Sequence, residues 1–290
     1  MLEIDSISKT FGKKTALHDL SFTVEKGQIY GLLGHNGAGK STTLGIILAM
    51  IATNTGEVRI DGVSVQKDRP AALHKVGAIF ESPAFYEYMT GWQNLRVMVN
   101  YSGHFDEEAA RKVVEDVRLT DRIHHKVGSY SHGMRQRLAL AQALLPGPEV
   151  LLLDEPTDGL DPEGIKWFRD FILKLREERG MTVLFNSHLL SEVEQMCDAV
   201  AIIKQGKLVH NSPLSELAEE NPVIEIQSTD PAKTLEIVQA HGGSLASESR
   251  YALPASTDIA ALNSALVNAG IGITQLTPRP RSLEDLYLSL

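Results

Sequence analysis

Gly34-His35-Asn36-Gly37-Ala38-Gly39-Lys40-Ser41 satisfies the pattern G-x-x-x-x-G-K-[ST] in full, and no other stretch restricts the possible folds as much. It follows the apolar run Gln28-Ile29-Tyr30-Gly31-Leu32-Leu33, which reads as a buried strand, and precedes Thr42-Thr43-Leu44-Gly45-Ile46-Ile47-Leu48, which reads as a helix. Strand, loop and helix in that order are what the pattern needs in order to hold phosphate. The glycines let backbone N–H groups converge on phosphate oxygens, and the helix N-terminus adds positive partial charge. The loop and Thr42 form the expected nucleotide cradle, with Lys40 reaching the β- and γ-phosphates and the Ser41 hydroxyl ligating Mg²⁺. The alternative, a Gly-rich turn that matches by accident, does not account for the flanks.

Composition narrows the class. The chain has 290 residues, 43% of them hydrophobic, enough for one large core and a smaller second one. A net charge of −9 without a dense basic run argues against a protein held by nucleic-acid phosphates. The longest apolar stretches, such as 150–153 and 46–51, fall far short of the ~20 residues that span a bilayer. The beginning, Met1-Leu2-Glu3-Ile4-Asp5, lacks the basic-then-apolar order of a signal peptide. The single Cys197 excludes an internal disulfide and reads as a small buried hydrophobe rather than a nucleophile. These features together predict a soluble cytoplasmic protein.

Short strand-like runs alternate with turns over residues 1–30, and 56–60 and 63–65 flank Asp61-Gly62, a strong hairpin signal. The pattern turns helical from about 84 to 146, most clearly over 107–117 and 135–145. Apolar runs at 150–153, 182–185 and 199–203 then alternate with helical segments at 163–178 and 189–196, which argues an α/β fold with a parallel sheet covered by helices. Ala218-Glu219-Glu220-Asn221-Pro222 reads as a linker. Beyond it the expectation is strand 223–227, helix 231–240, strand 250–253, helix 259–269 and strand 271–276, a unit small enough that docking on the larger domain is expected.

Val150-Leu151-Leu152-Leu153-Asp154-Glu155 is an apolar strand ending in two carboxylates, an expensive arrangement unless the pair faces a cation or a reaction centre. Asp154 is placed to hold Mg²⁺, directly or through water, and Glu155 to accept a proton from the water attacking the γ-phosphate. Taken alone, the pair also reads as helix-capping acids at a strand–helix turn; the upstream phosphate loop favours the catalytic reading.

The residues now assembled resemble the ATP-binding subunit of an ABC transporter over about residues 1–215. Tyr130-Ser131-His132-Gly133-Met134 stands where that family carries its LSGGQ signature, Gly159-Leu160-Asp161 matches the D-loop, and Asn186-Ser187-His188 the switch-histidine segment. Phe11 lies where the family places an aromatic that stacks on adenine. The resemblance implies a P-loop NTPase fold of the ABC ATPase type, with a mixed, mostly parallel sheet, an antiparallel β subdomain and a helical subdomain over about 84–146. It implies a nucleotide-binding domain over 1–217 and a small α+β accessory domain over 222–290. It also implies ATP and Mg²⁺ as cofactors and a head-to-tail dimer, formed with a second copy or a second ATPase subunit. Ser131, Gly133 and Asp161 then face the nucleotide held by the other subunit, and His188 senses the γ-phosphate. The expected partner is a separate transmembrane permease touched by the region 84–130, which would hold the chain on the inner face of the cell membrane.

Two departures stand out. The signature has Tyr130, His132 and Met134 where Leu, Gly and Gln are usual, and Glu81 replaces the usual Gln that links Mg²⁺ to the permease. A carboxylate at Glu81 is expected to attract the metal more strongly, unless it merely faces solvent. That Glu with a Tyr-Ser-x-Gly-Met signature is similar to the bacitracin-resistance and lantibiotic-immunity branch, and the tail 280–287 resembles drug-exporter ATPases. Export of a peptide antibiotic or drug-like substrate is therefore expected. The competing readings are a soluble, non-transport ABC ATPase and a nucleotide-gated regulator.

Overall fold

The computed structural model describes residues 1–80, 83–102, 105–219, 223–254, 256–279 and 282–290. Two compact units divide the chain, Met1–Asn211 and Ser212–Leu290. In chain order the first contains β1 (Leu2–Phe11), β2 (Lys14–Val24), β3 (Ile29–Leu33), α1 (Lys40–Ile47), β4 (Thr55–Ile60), β5 (Val63–Ser64), α2 (Arg69–Leu73), β6 (Val76–Ile79) and α3 (Gly91–Ser102). It continues with α4 (Glu107–Asp116), α5 (His132–Leu144), β7 (Val150–Asp154), α6 (Pro162–Arg179), β8 (Thr182–Asn186), α7 (Leu190–Met196), β9 (Ala199–Lys204) and β10 (Lys207–Pro213), the last reaching across the boundary.

The central sheet has the order β10-β9-β3-β8-β7-β6, with β9, β3, β8, β7 and β6 running parallel. Strands β3, β7 and β8 are buried along their whole length, which is why they read as unbroken apolar runs rather than alternating ones. The second sheet, β2-β1-β4-β5, is antiparallel and alternates buried with exposed positions along β2. Its turn at Asp61-Gly62 takes left-handed φ at both residues (48° and 79°), the geometry of a tight hairpin. The sheets share one core in which Leu2, Ile4 and Phe22 meet Tyr30, Leu32, Leu44 and Leu152, with the Phe22 and Tyr30 rings stacked 5.4 Å apart.

Helices α3, α4 and α5 bury Leu95, Val113, Val114 and Leu138 and form the expected helical region. Tyr130 explains one departure in the signature. Its ring is buried, and its hydroxyl donates to the Arg122 carbonyl at 2.7 Å, so an aromatic with a polar tip fills a site where leucine would suffice.

The second unit contains α8 (Leu214–Glu219), β11 (Val223–Ser228), α9 (Pro231–Ala240), β12 (Ser244–Ser247), β13 (Arg250–Ala252), α10 (Ile259–Asn268), β14 (Ile273–Arg279) and α11 (Leu283–Ser289). Its antiparallel sheet has the order β12-β13-β11-β14, so β11 to β14 with α9 and α10 make a split β-α-β-β-α-β unit. Ile224, Ile226, Val238, Tyr251, Leu262 and Leu266 give it a core of its own. The sequence expectation contained neither β12 nor α11. Ser-Leu-Ala-Ser has little β-propensity and lies on the edge of the sheet, so pairing with β13 rather than composition makes it a strand.

Candidate active site

The phosphate loop leaves β3 and enters α1 through Gly39, whose φ of 118° and whose missing Cβ, which would lie 2.6 Å from Leu17, both require glycine. The N-cap of α1 is Gly39, which has no side chain to accept from the first N–H groups of the helix, as suits an anion site. His35, Asn36 and Gly37 are exposed, Ala38 and Lys40 buried, and Thr42 half-buried. Lys40 Nζ donates to the Gly34 carbonyl at 2.7 Å and lies 3.6 Å from Glu155 Oε1. A buried ammonium held by a carbonyl and a carboxylate is ready to exchange them for phosphate oxygens.

The parallel pairing of β7 with β8 sets Asp154 opposite Asn186. Asn186 is fully buried and bridges the two acids: its Nδ2 donates to Asp154 Oδ1, and its Oδ1 accepts the Glu155 N–H at 2.6 Å. Glu155 adopts a left-handed φ of 47°, a conformation costly for a residue with a Cβ. That twist swings its carboxylate to His188, whose Nδ1 lies 2.7 Å from Oε2 and whose backbone N–H donates to the same oxygen at 3.3 Å. Behind this pair, Thr157 Oγ1 donates to buried Glu192 at 2.7 Å. Burial raises the Glu192 carboxyl above the ordinary range despite that bond.

Ser41 Oγ donates to Asp154 Oδ1 at 3.3 Å, and Asp154 pairs with no cationic side chain among the described residues. A buried carboxylate beside a hydroxyl is a hard-oxygen donor set that fits Mg²⁺. No group of three or more acidic, His or Cys side chains suited to a metal occurs among the described residues, so phosphate and water would complete the coordination. Glu81 lies outside the described residues.

The remaining expected residues gather elsewhere. Ser131 N-caps α5, accepting the Met134 N–H at 3.3 Å, and Asp161 N-caps α6, accepting the Gly164 N–H at 2.7 Å. Between these caps a cavity of about 360 Å³ is lined by Ser131, Gly133, Gln136, Arg137, Leu160 and Trp167 among others. The Arg137 guanidinium sits 4.5 Å from the Trp167 ring centroid. Phe11, 48% exposed at the end of β1, has Lys9 Nζ 5.0 Å from its ring centre; Lys14 to Ala16 after it and Gly37 border one open cavity.

The structure thus joins Lys40, Ser41, Asp154, Glu155 and His188 in one network, and sets Ser131, Gly133 and Asp161 together in a second cluster. Sequence reasoning missed Asn186 as the bridge, the Thr157–Glu192 pair, and Gln136, whose buried Oε1 has no hydrogen-bond partner among the described residues. Strand register was the only signal for Asn186, one position before Ser187-His188 and level with Asp154. Cys197 is free, half-buried against Gly31, with its thiol pushed up by burial, as a packing residue would be.

A sequence model of the ABC transporter family matches residues 17–158. The chain is 40% identical over 291 residues to the uncharacterized ABC transporter ATP-binding protein YhcH of Bacillus subtilis, covering 100% of this chain and 95% of that protein. It is 36% identical over 301 residues to the bacitracin transport ATP-binding protein BcrA of Bacillus licheniformis, covering 100% and 97%. Among solved structures, a dimeric ATP-binding cassette in a post-hydrolysis state bound to ADP and Pi superposes with a TM-score of 0.67 at 25% identity, over 74% of this chain and 99% of that one. With its phosphate loop, acidic pair and histidine assembled on the fold of such cassettes, the chain belongs to the ABC transporter family, as an ATP-binding, ATP-hydrolysing subunit.

Proposed function

We propose that two such cassettes, identical or paired with a second ATPase subunit, close head to tail on two Mg–ATP beneath a separate membrane permease. The Glu155–His188 pair carries this reading: a carboxylate held at 2.7 Å by an imidazole and 3.6 Å from the phosphate-loop lysine is positioned to take a proton from the attacking water. Lys40 binds the phosphates, His188 orients Glu155, and Phe11 offers a stacking face for adenine. Ser41 and Asp154 would hold Mg²⁺, which neutralises developing charge on the phosphates when bound, and Glu81 extends that acidic set. Ser131, Gly133 and Asp161 cover the nucleotide of the opposite cassette.

No helix among the described residues is long and apolar enough to cross a membrane, which supports a cytoplasmic subunit held at the inner face by its permease. Similarity to a bacitracin transport protein supports export of a peptide antibiotic or drug-like molecule. Nucleic acid is not a partner in this reading, and the C-terminal unit serves as an accessory domain. Glu155→Gln is expected to bind ATP, lose turnover and dimerise more stably on gel filtration; unchanged turnover removes Glu155 from the role of base. Affinity capture from detergent-solubilised native membranes should recover a polytopic partner, whereas recovery with ribosomes or soluble proteins alone overturns the transport reading.

A further inference from the structure

We propose that His132 is a positioning residue that ties the signature motif to the D-loop of its own subunit, a tie that the family's usual glycine cannot make. His132 is the first residue of α5, immediately after the Ser131 cap. Its Nε2 lies 2.9 Å from the Asp158 carbonyl oxygen, in the turn that follows Glu155. The carbonyl accepts, so Nε2 carries the proton and donates. The same ring lies over Gly159: a Cβ built there would stand 3.2 Å from two atoms of the imidazole. Gly159 also has φ 70°, so the turn is shaped for glycine on two counts.

The other bonds of the turn run away from α5, the Thr157 hydroxyl donating to Glu192 of α7. Asp158 N–H donates back to the Glu155 carbonyl and Leu160 N–H to the Thr157 carbonyl, bonds that shape the turn without anchoring it to α5. Next to it, a cavity of about 360 Å³ is lined by His132, Gly133 and Arg137 of α5 and by Gly164, Trp167 and Phe168 of α6. There His132 reaches from α5 to the Asp158 carbonyl. Any rotation of α5 that does not carry the D-loop with it must break the Nε2–carbonyl bond and lift the ring from Gly159. Resting on the proposed closure across a dimer, the tie keeps Ser131 and Asp161, one on each side of it, in fixed relation as they approach the opposite nucleotide.

Two substitutions separate donation from bulk. In glutamine the amide nitrogen stands as far along the side chain as Nε2, so His132→Gln retains the donor; in asparagine it stands where Nδ1 does, so His132→Asn falls short. Amide hydrogen exchange without nucleotide reads the tie directly. His132→Asn is expected to speed exchange over residues 158–161 by between about two- and twelvefold, the range set by one hydrogen bond of ordinary net strength, and His132→Gln to leave it unchanged. Equal exchange in wild type and both variants overturns the proposal.

The second measurement is the ATP-dependent dimer dissociation constant in a Glu155→Gln background. His132→Asn is expected to raise it by a similar factor and His132→Gln to restore it. Dimers of equal strength in all three overturn the part of the proposal that concerns closure. If Glu155→Gln forms no dimer with ATP, the dimer reading fails, and with it that same part, while the exchange result still decides whether the tie exists.

Discussion

Asn186 bridges the acidic pair, and Asn186→Leu tests its contribution because leucine has the same branching and the same number of side-chain heavy atoms, though more bulk, in a fully buried position. The substitution deletes two hydrogen bonds: one to the Asp154 carboxylate and one from the Glu155 N–H at 2.6 Å. A bond to a charged group contributes about 1.5–3 kcal/mol and a neutral one about 0.5–1.5, so the fold is expected to lose roughly 2–4.5 kcal/mol on urea denaturation. The effect on chemistry follows from the backbone. A left-handed residue with a Cβ costs about 1–2 kcal/mol, and at Glu155 that cost is offset by the bond its N–H makes to Asn186.

Leaving that N–H unpaired would cost about 1–3 kcal/mol more, so with Asn186 present the strained conformation holds. With leucine that backbone restraint is lost, leaving the carboxylate's contacts with His188 and Lys40 against the strain, and relaxation of φ is expected to carry the carboxylate away from His188. Misplacement worth about 1.5–3 kcal/mol lowers kcat roughly ten- to a hundredfold. The KM for ATP should stay within about threefold, because neither partner lost belongs to the phosphate loop. Steady-state phosphate release measures both constants. A kcat within about twofold of wild type, in a variant that has lost the expected stability, would show that Glu155 does not need Asn186 to hold its conformation.

Three further outcomes are expected. Burial raises the Glu192 carboxyl in the folded state, so its protonated form is favoured by folding and stability falls as pH rises through that raised value; Glu192→Gln, which keeps an acceptor for Thr157, should therefore raise the melting temperature near pH 8 more than near pH 5, and an equal gain at both would contradict burial as the cause. Glu81→Gln should need more Mg²⁺ for half-maximal ATP turnover, and an equal or lower requirement in a Mg²⁺ titration would take Glu81 away from the metal. Gly133→Ala should leave thermal stability unchanged or slightly higher, by up to about 1 kcal/mol from helix propensity, yet lower turnover; retained turnover would mean that nothing approaches the N-terminus of α5 closely.

What was legible in the sequence was contiguous. The phosphate loop, the Asp154–Glu155 pair and His188 each announce themselves within a few residues of their own strand, and unbroken apolar runs marked the buried parallel strands. What was not legible depends on pairing between distant segments. Asn186 becomes a bridge only because β8 lies beside β7 in one particular register, and a shift of one residue would turn its side chain to the other face of the sheet. Thr157 and Glu192 meet across 35 positions, and the edge strand Ser244–Ser247 exists by virtue of its neighbour. Ser131 was legible as a cap because capping is local; the reach of His132 to Asp158 was not, because it depends on where α6 brings the D-loop.

The glycines of the two motifs answer to different demands. Gly159 and Gly164 are fixed from within: the first has φ 70° with the His132 ring 3.2 Å from its would-be Cβ, and at the second that atom would lie 2.9 Å from Asp161 Oδ1. Gly133 is under no such pressure. Among the described residues a Cβ there would meet only the Leu160 side chain at 3.5 Å, an ordinary contact, and helical φ suits any residue. Glycine near a helix N-terminus costs stability relative to alanine, so keeping it calls for a gain that the cassette's own packing does not supply. On the proposed head-to-tail reading, close approach of a group from outside the subunit, to N–H groups that carry the positive end of the helix, would supply that gain. Tyr130 and His132 can depart from the usual residues because their side chains are used within the subunit, one in the helical core and the other at the D-loop, while the proposed dimer would use the space that Gly133 leaves open before α5.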